Sequence, residues 1–232
     1  GAVPERRGCD VLHIKTRRSR EGGGSVAPAY VLRSQRCEEN PSENEAVPMY
    51  EFPFVTRSQW GARSSKNMTQ LSTPVAYVVI HHSHMPPACH TYQECCRAMR
   101  GMQNFHMDDR GWWDVGYNFA IGSDGSAYEG RGWSNMGAHA LRFNSVSIGI
   151  CIIGDWQVTA PPHNQLQIAK ELIEAGVRLG YIKQDYKLVG HRQVRDTECP
   201  GDELFNEIKT WRNYSAFPSS AKDLDRVPEL IN

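Results

Sequence analysis

Four residues far apart in the chain carry the chemistry this sequence can do. His81 closes the apolar run Val75–His81, and His191 closes a second run, Lys187–His191. Cys199 follows eight residues later, and Tyr117 lies between them in Asp114-Val-Gly-Tyr-Asn118. Two imidazoles and one thiolate can hold a zinc ion and leave its fourth tetrahedral position open. An open position on zinc is a place where water becomes acidic near neutral pH, so the residue types point to metal-assisted hydrolysis. Taken singly the signals are weak. A strand-end imidazole is more often a hydrogen-bonded core residue. A Cys before Pro, as in Cys199-Pro-Gly201, is more often a buried thiol or half-cystine.

The elements that would position these residues follow from hydrophobic periodicity. Tyr77–His82 is short, uninterrupted and rich in β-branched residues, which predicts a buried strand. Side chains alternate along a strand, so only one of His81 and His82 can face a given site, and His82 is assigned a structural role. Thr91-Tyr-Gln-Glu94 has the pattern of a capping box. The helix it opens places Cys95, Ala98, Met99, Met102, Phe105 and His106 on one face. Tyr117–Ile121 and Ser126–Glu129 flank Gly122-Ser-Asp-Gly125, a hairpin signal. Val146–Ile153 predicts a second central strand, and Pro161-Pro162 opens a long helix that ends at Gly180. Lys187–His191 predicts a further strand. Leu204, Phe205, Ile208 and Trp211 make the inner face of a last helix. Strands alternating with about three helices predict an α/β fold with a central mixed β-sheet, and strand ends at one sheet edge are where such folds place ligands.

The chain of 232 residues is long enough for one domain with tails. Lys+Arg and Asp+Glu are 26 each, so net charge gives no argument for a nucleic-acid partner. Residues 1–36 carry eight basic residues against three acids, and Glu38–Glu51 carries five acids and no base. With Gly22-Gly-Gly-Ser25 and little periodicity, residues 1–50 predict a disordered extension, residues 51–216 the folded domain, and residues 217–232 a short loose tail. No apolar run reaches the roughly 18 residues of a membrane span. Seven cysteines are present. Cys89 and Cys95 flank a loop-to-helix junction and are compatible with a local disulfide, Cys151 sits in an apolar run as a buried thiol, and Cys9, Cys37 and Cys96 have no assignment. A disulfide and the sequons at Asn67 and Asn213 favour secretion, with an intracellular form as the alternative.

From about Phe54 to Trp211 the sequence resembles the peptidoglycan recognition proteins, animal relatives of phage type 2 amidases. Ordered matches carry the resemblance: Arg57-Ser-Gln-Trp-Gly-Ala-Arg63, Val78-Val-Ile-His-His82, Asn104-Phe-His106, Gly116-Tyr-Asn-Phe119, Tyr128-Glu-Gly-Arg-Gly-Trp133, Gly137-Ala-His139, Ser147-Ile-Gly-Ile150, Gly190-His191 and Thr197-Glu-Cys-Pro-Gly201. The stretch His191–Gly201 is most similar to catalytic insect members of the LB type. The resemblance implies that His81, His191 and Cys199 bind one Zn2+, that Tyr117 and Thr197 assist catalysis, and that Cys89 pairs with Cys95. It implies peptidoglycan or muropeptide as partner, with His106, Arg131, Gly132, Trp133, His139 and Asn144 at the groove. The implied reaction is hydrolysis of the amide between the lactyl group of N-acetylmuramic acid and L-Ala. Removal of an immune elicitor would follow. The Gly132-Trp133 pair implies diaminopimelate-type stems, although Ser145 stands where strong binders place an Arg. The competing readings are a receptor of the same fold that does not cut, and a structural zinc domain without substrate. Oligomeric state is not legible.

Overall fold

The computed structural model describes residues 50–231. The expectation of a disordered extension over residues 1–50 falls, apart from Tyr50, outside them, as do Cys9 and Cys37. In chain order the elements are β1 (Phe54–Val55), α1 (Arg57–Trp60), β2 (Val75–His82), α2 (Tyr92–Asn104), β3 (Phe119–Ile121), β4 (Ala127–Glu129), β5 (Ser147–Ile152), α3 (His163–Arg178), β6 (Ile182–Gly190), α4 (His191–Val194) and α5 (Asp202–Ile208). The strands form one six-stranded sheet in the order β1-β4-β3-β5-β2-β6. It is mixed: β3 and β4 are antiparallel, while β2 runs parallel to both β5 and β6. Three helices of seven or more residues pack on it. This is the mixed-sheet α/β fold expected from the sequence.

Alternation along β2 sets the layers. Val78 and Ile80 point into the larger core with Ile148 and Ile150 of β5 and with Leu166, Ala169, Leu172 and Ile173 of α3. Leu204 and Ile208 of α5 join that core. Tyr77 and Val79 point to the opposite face, where they meet Phe143 and Val189. His81 continues the Tyr77–Val79 face, and His82 continues the Val78–Ile80 face. In register, His81 lies opposite Cys151 of β5, and Ile80 lies opposite Gly190 of β6. His191 follows Gly190 directly, so both histidines sit at the carboxyl ends of adjacent parallel strands.

Helix α2 forms where the sequence predicts it. Thr91 accepts from the Glu94 amide at 3.3 Å, and Glu94 Oε2 accepts from the Thr91 amide at 3.1 Å. Such a cap contributes about 1 kcal/mol. Cys95, Ala98, Met99 and Met102 face inward as expected. Cys89 and Cys95 form the disulfide, and Cys96 and Cys151 are buried free thiols.

Two expectations are corrected. Phe105 does not share the buried face of α2: a π-type turn over Phe105–Asp109 turns it outward, and it is 46% exposed while His106 and Met107 are buried. An i+5 turn rotates the following side chains relative to the 3.6-residue period. Nor is the segment after Phe217 loose. Two 3-10 turns, Ala221–Arg226 and Pro228–Leu230, place Leu224 and Val227 in the cluster with Tyr77, Val79 and Val189. Lys187 and Tyr77 both hydrogen-bond Glu229 and tie the segment down further.

Candidate metal centre and groove

Among the described residues, one group of His, Cys, Asp or Glu side chains converges tightly enough to hold a metal ion: His81, His191 and Cys199, with ligand atoms within 4.8 Å of one another. The strands bring in the two imidazoles, whose ring centroids are 4.3 Å apart. Cys199 arrives on the loop between α4 and α5, and its own backbone holds it there. The Arg192 amide donates to the Cys199 carbonyl at 2.8 Å, so the start of α4 and the cysteine loop are stitched together. Gly201 lets that loop press on its neighbour: it has φ +94°, and a Cβ there would come within 2.3 Å of the Trp156 carbonyl oxygen. Cys199 Sγ lies 3.9 Å from His81 Nδ1 and accepts from the His82 amide at 3.4 Å.

Protonation suits a cation. Burial first, then the neighbouring His191, His139 and His82, pushes the pKa of His81 well below the usual imidazole value. His191 is held at about 4, by burial and then by Arg195. Both rings are therefore neutral at physiological pH, as metal ligands must be. Burial pushes the Cys199 thiol up to about 12, against the His82 amide and Arg192. A bound divalent ion would expel that proton, since a coordinated thiol is deprotonated outright. Two neutral imidazoles and one thiol converging from separate elements are a donor set that fits zinc.

A groove of about 900 Å³ runs past this centre. His106, Tyr117, His139, Asn144 and His191 line it, as do Trp112, Met85 and Leu141. Met85 and Leu141 are 69% and 67% exposed, apolar side chains left open around a cavity. Tyr117 stands beside the centre, its ring centroid 5.3 Å from that of His81. Burial, then Cys151 and Cys199, raises its phenol well above 10, so it stays a neutral donor. His106 Nδ1 accepts from the Gly116 amide at 3.0 Å and so braces the residue before Tyr117. Thr197 Oγ1 accepts from the Cys199 amide at 3.3 Å. His82 points away, as alternation predicts; its Nδ1 accepts from the Trp156 amide at 3.4 Å.

The structure does not bring Gly132 and Trp133 to this groove: they line a different depression with Tyr50, Phe54 and Tyr181. Arg131 reaches that depression and also a smaller one that shares Trp112 and Ala138 with the groove. Trp133 is a core residue: it stacks on Tyr181 at 5.4 Å, packs on Phe119 at 4.3 Å, and donates from Nε1 to Tyr50 at 2.9 Å. Arg131 serves as a half-buried brace, donating to the carbonyls of Val115 and Met136 at 2.8 and 2.9 Å. Residues from Gly130 onward leave the edge of β4 with Gly132 at φ +71°, and this turn sends Trp133 toward α3. Conversely, the sequence reading missed Arg110 and Arg195. Both line the groove, no acidic residue lines it, and no carboxylate pairs with either among the described residues. The one available signal was Arg195 lying four residues after His191.

Comparison with known proteins agrees with this geometry. Residues 71–202 match the N-acetylmuramoyl-L-alanine amidase family. Peptidoglycan-recognition protein LB of Drosophila melanogaster is 52% identical over 162 residues, covering 70% of this chain and 70% of that protein. The wild-type structure of Drosophila PGRP-LB superposes with a TM-score of 0.70 at 51% identity, over 71% of this chain and 96% of that one. PGRP-LE, solved in complex with tracheal cytotoxin, a monomeric diaminopimelic acid-type peptidoglycan, superposes with a TM-score of 0.70 at 39% identity, over 72% of this chain and 98% of that one.

Proposed function

Because this chain belongs to the N-acetylmuramoyl-L-alanine amidase family, in its peptidoglycan-recognition branch, we propose that it is a zinc-dependent amidase. It binds peptidoglycan fragments and cleaves the amide between the lactyl group of N-acetylmuramic acid and L-Ala. The observation that carries this reading is the convergence of His81, His191 and Cys199 beside a groove that also holds Tyr117. A zinc ion held by these three residues supplies Lewis acidity, polarising a carbonyl and lowering the pKa of water. The protein's own groups do the rest. Tyr117, kept neutral by burial, donates a hydrogen bond toward the reacting centre and orients the attack. Thr197 accepts from the Cys199 amide through its oxygen, and its hydroxyl hydrogen is the candidate donor to the developing oxyanion.

Arg110 and Arg195 support an anionic stem peptide. Trp133 lies away from the groove, so the preference for diaminopimelate stems rests on these two cations instead. The ligand of PGRP-LE is of the same type. The Cys89–Cys95 disulfide supports an oxidising, extracellular setting, and cleavage there would remove an immune elicitor and dampen innate immune signalling.

The test is incubation of zinc-reconstituted protein with purified diaminopimelate-type muropeptide, with and without chelator, followed by mass analysis. Free stem peptide that disappears with chelator is the expected result. Binding of the muropeptide with no released peptide would leave a receptor and overturn the enzyme.

A further inference from the structure

The His81 ring makes a contact that the reaction above does not use. Its Nε2 lies 3.0 Å from Nδ1 of His139, with His81 1% and His139 7% exposed. Its other nitrogen, Nδ1, faces Cys199 Sγ at 3.9 Å. We infer that His139 is a positioning residue: it accepts the Nε2 proton of His81 and so fixes the tautomer whose Nδ1 lone pair is free for the metal. This inference rests on the metal-site reading above.

A neutral imidazole carries one proton. Were His139 Nδ1 the donor, the proton of His81 would sit on Nδ1, pointing at Cys199 and blocking the ligand atom. The reverse arrangement leaves His81 Nδ1 open and puts the remaining proton of His139 on its own Nε2. That Nε2 is buried and has no hydrogen-bond partner among the described residues.

The seating of the ring shows the same commitment. A Cβ on Gly149 would come within 2.3 Å of the His139 ring, and one on Gly137 within 2.4 Å, so both sites leave room that only glycine gives. Asn144 Oδ1 accepts from the His139 and Ala140 amides at 2.9 and 2.8 Å and clamps the backbone that carries the ring. His139 and Asn144, expected from the resemblance to contact the peptide, line the groove and also hold this second contact to His81. A hydrogen bond to the second nitrogen of a ligating imidazole fixes the ring and raises its basicity.

The test compares His139→Phe, which fills the space without an acceptor, with His139→Asn, whose carbonyl oxygen restores an acceptor near the Nδ1 position. Zinc affinity is read by competition with a chromogenic chelator. His139→Phe is expected to weaken zinc binding about 10–100-fold, and His139→Asn to recover most of the loss. Nitrogen-15 NMR of the histidine-labelled wild-type protein, which requires no variant to fold, should find the His81 proton on Nε2. The inference is overturned if His139→Phe holds zinc as tightly as wild type and only raises KM for muropeptide, or if His81 carries its proton on Nδ1. Both readouts are independent of hydrolysis, so a protein that holds zinc in this way yet cuts nothing would sink the amidase alone.

Discussion

The two halves of the site expected from the sequence behave differently in the structure. His81, His191 and Cys199 converge, because two of them end adjacent parallel strands and the third is tied by its backbone to the first turn of α4. Arg131, Gly132 and Trp133 do not join them. They follow the end of edge-proximal β4, and their turn carries Trp133 to the α3 side of the sheet. A side chain fixed by strand register is placed by period-two alternation. A side chain in a glycine-rich turn is placed by backbone dihedrals that the sequence does not reveal.

Substitutions can break that contrast. The largest effect is expected at the strand-fixed half. Cys199→Ser removes the thiolate ligand and should lower amidase activity by at least about 10³-fold while the fold persists, as read by peptide release and circular dichroism. Tyr117→Phe keeps the ligands and loses one donor. It should lower kcat by about 10²–10³-fold with zinc affinity unchanged in chelator competition. A fully active Tyr117→Phe enzyme would make Tyr117 a plain core residue.

The turn half predicts a different phenotype. Trp133→Ala should destabilise the protein by about 3–5 kcal/mol in denaturant titration, yet leave KM of the folded fraction unchanged. A variant of normal stability with weak muropeptide binding would return Trp133 to the groove and erase the contrast. Arg195→Gln tests the replacement for it. KM for an acidic stem should rise by about fivefold or less, and added salt should mimic the change.

Acid should separate the halves as well. Imidazoles in the unfolded chain take protons below about pH 6.5, whereas His82, His106 and His191 in the fold resist until about 4. Between those values the unfolded state binds more protons, so stability falls as pH drops through the window. Hydrogen exchange of the chelated protein should show the ends of β2 and β6 losing protection before β4 and the Trp133 turn.

How much was legible follows the same line. The capped α2, the strands that carry His81 and lead into His191, and the turn of His82 away from the site follow from local patterns, because each depends on a regular repeat. The exposure of Phe105 was not legible, since a π-type turn breaks the period that predicted its burial. The packing of the last residues was missed because a 3-10 segment with only Leu224 and Val227 buried shows no amphipathic repeat. His139 is a more telling case. Its place behind His81 joins residues 58 apart in sequence, and no spacing rule connects them.

X-ray absorption at the zinc edge of the reconstituted wild-type protein reads the ligand set of the centre itself. One sulfur at about 2.3 Å and two imidazole nitrogens at about 2.0–2.1 Å, with a single further light atom, are expected. A shell without sulfur, or one built of oxygens alone, would contradict that set.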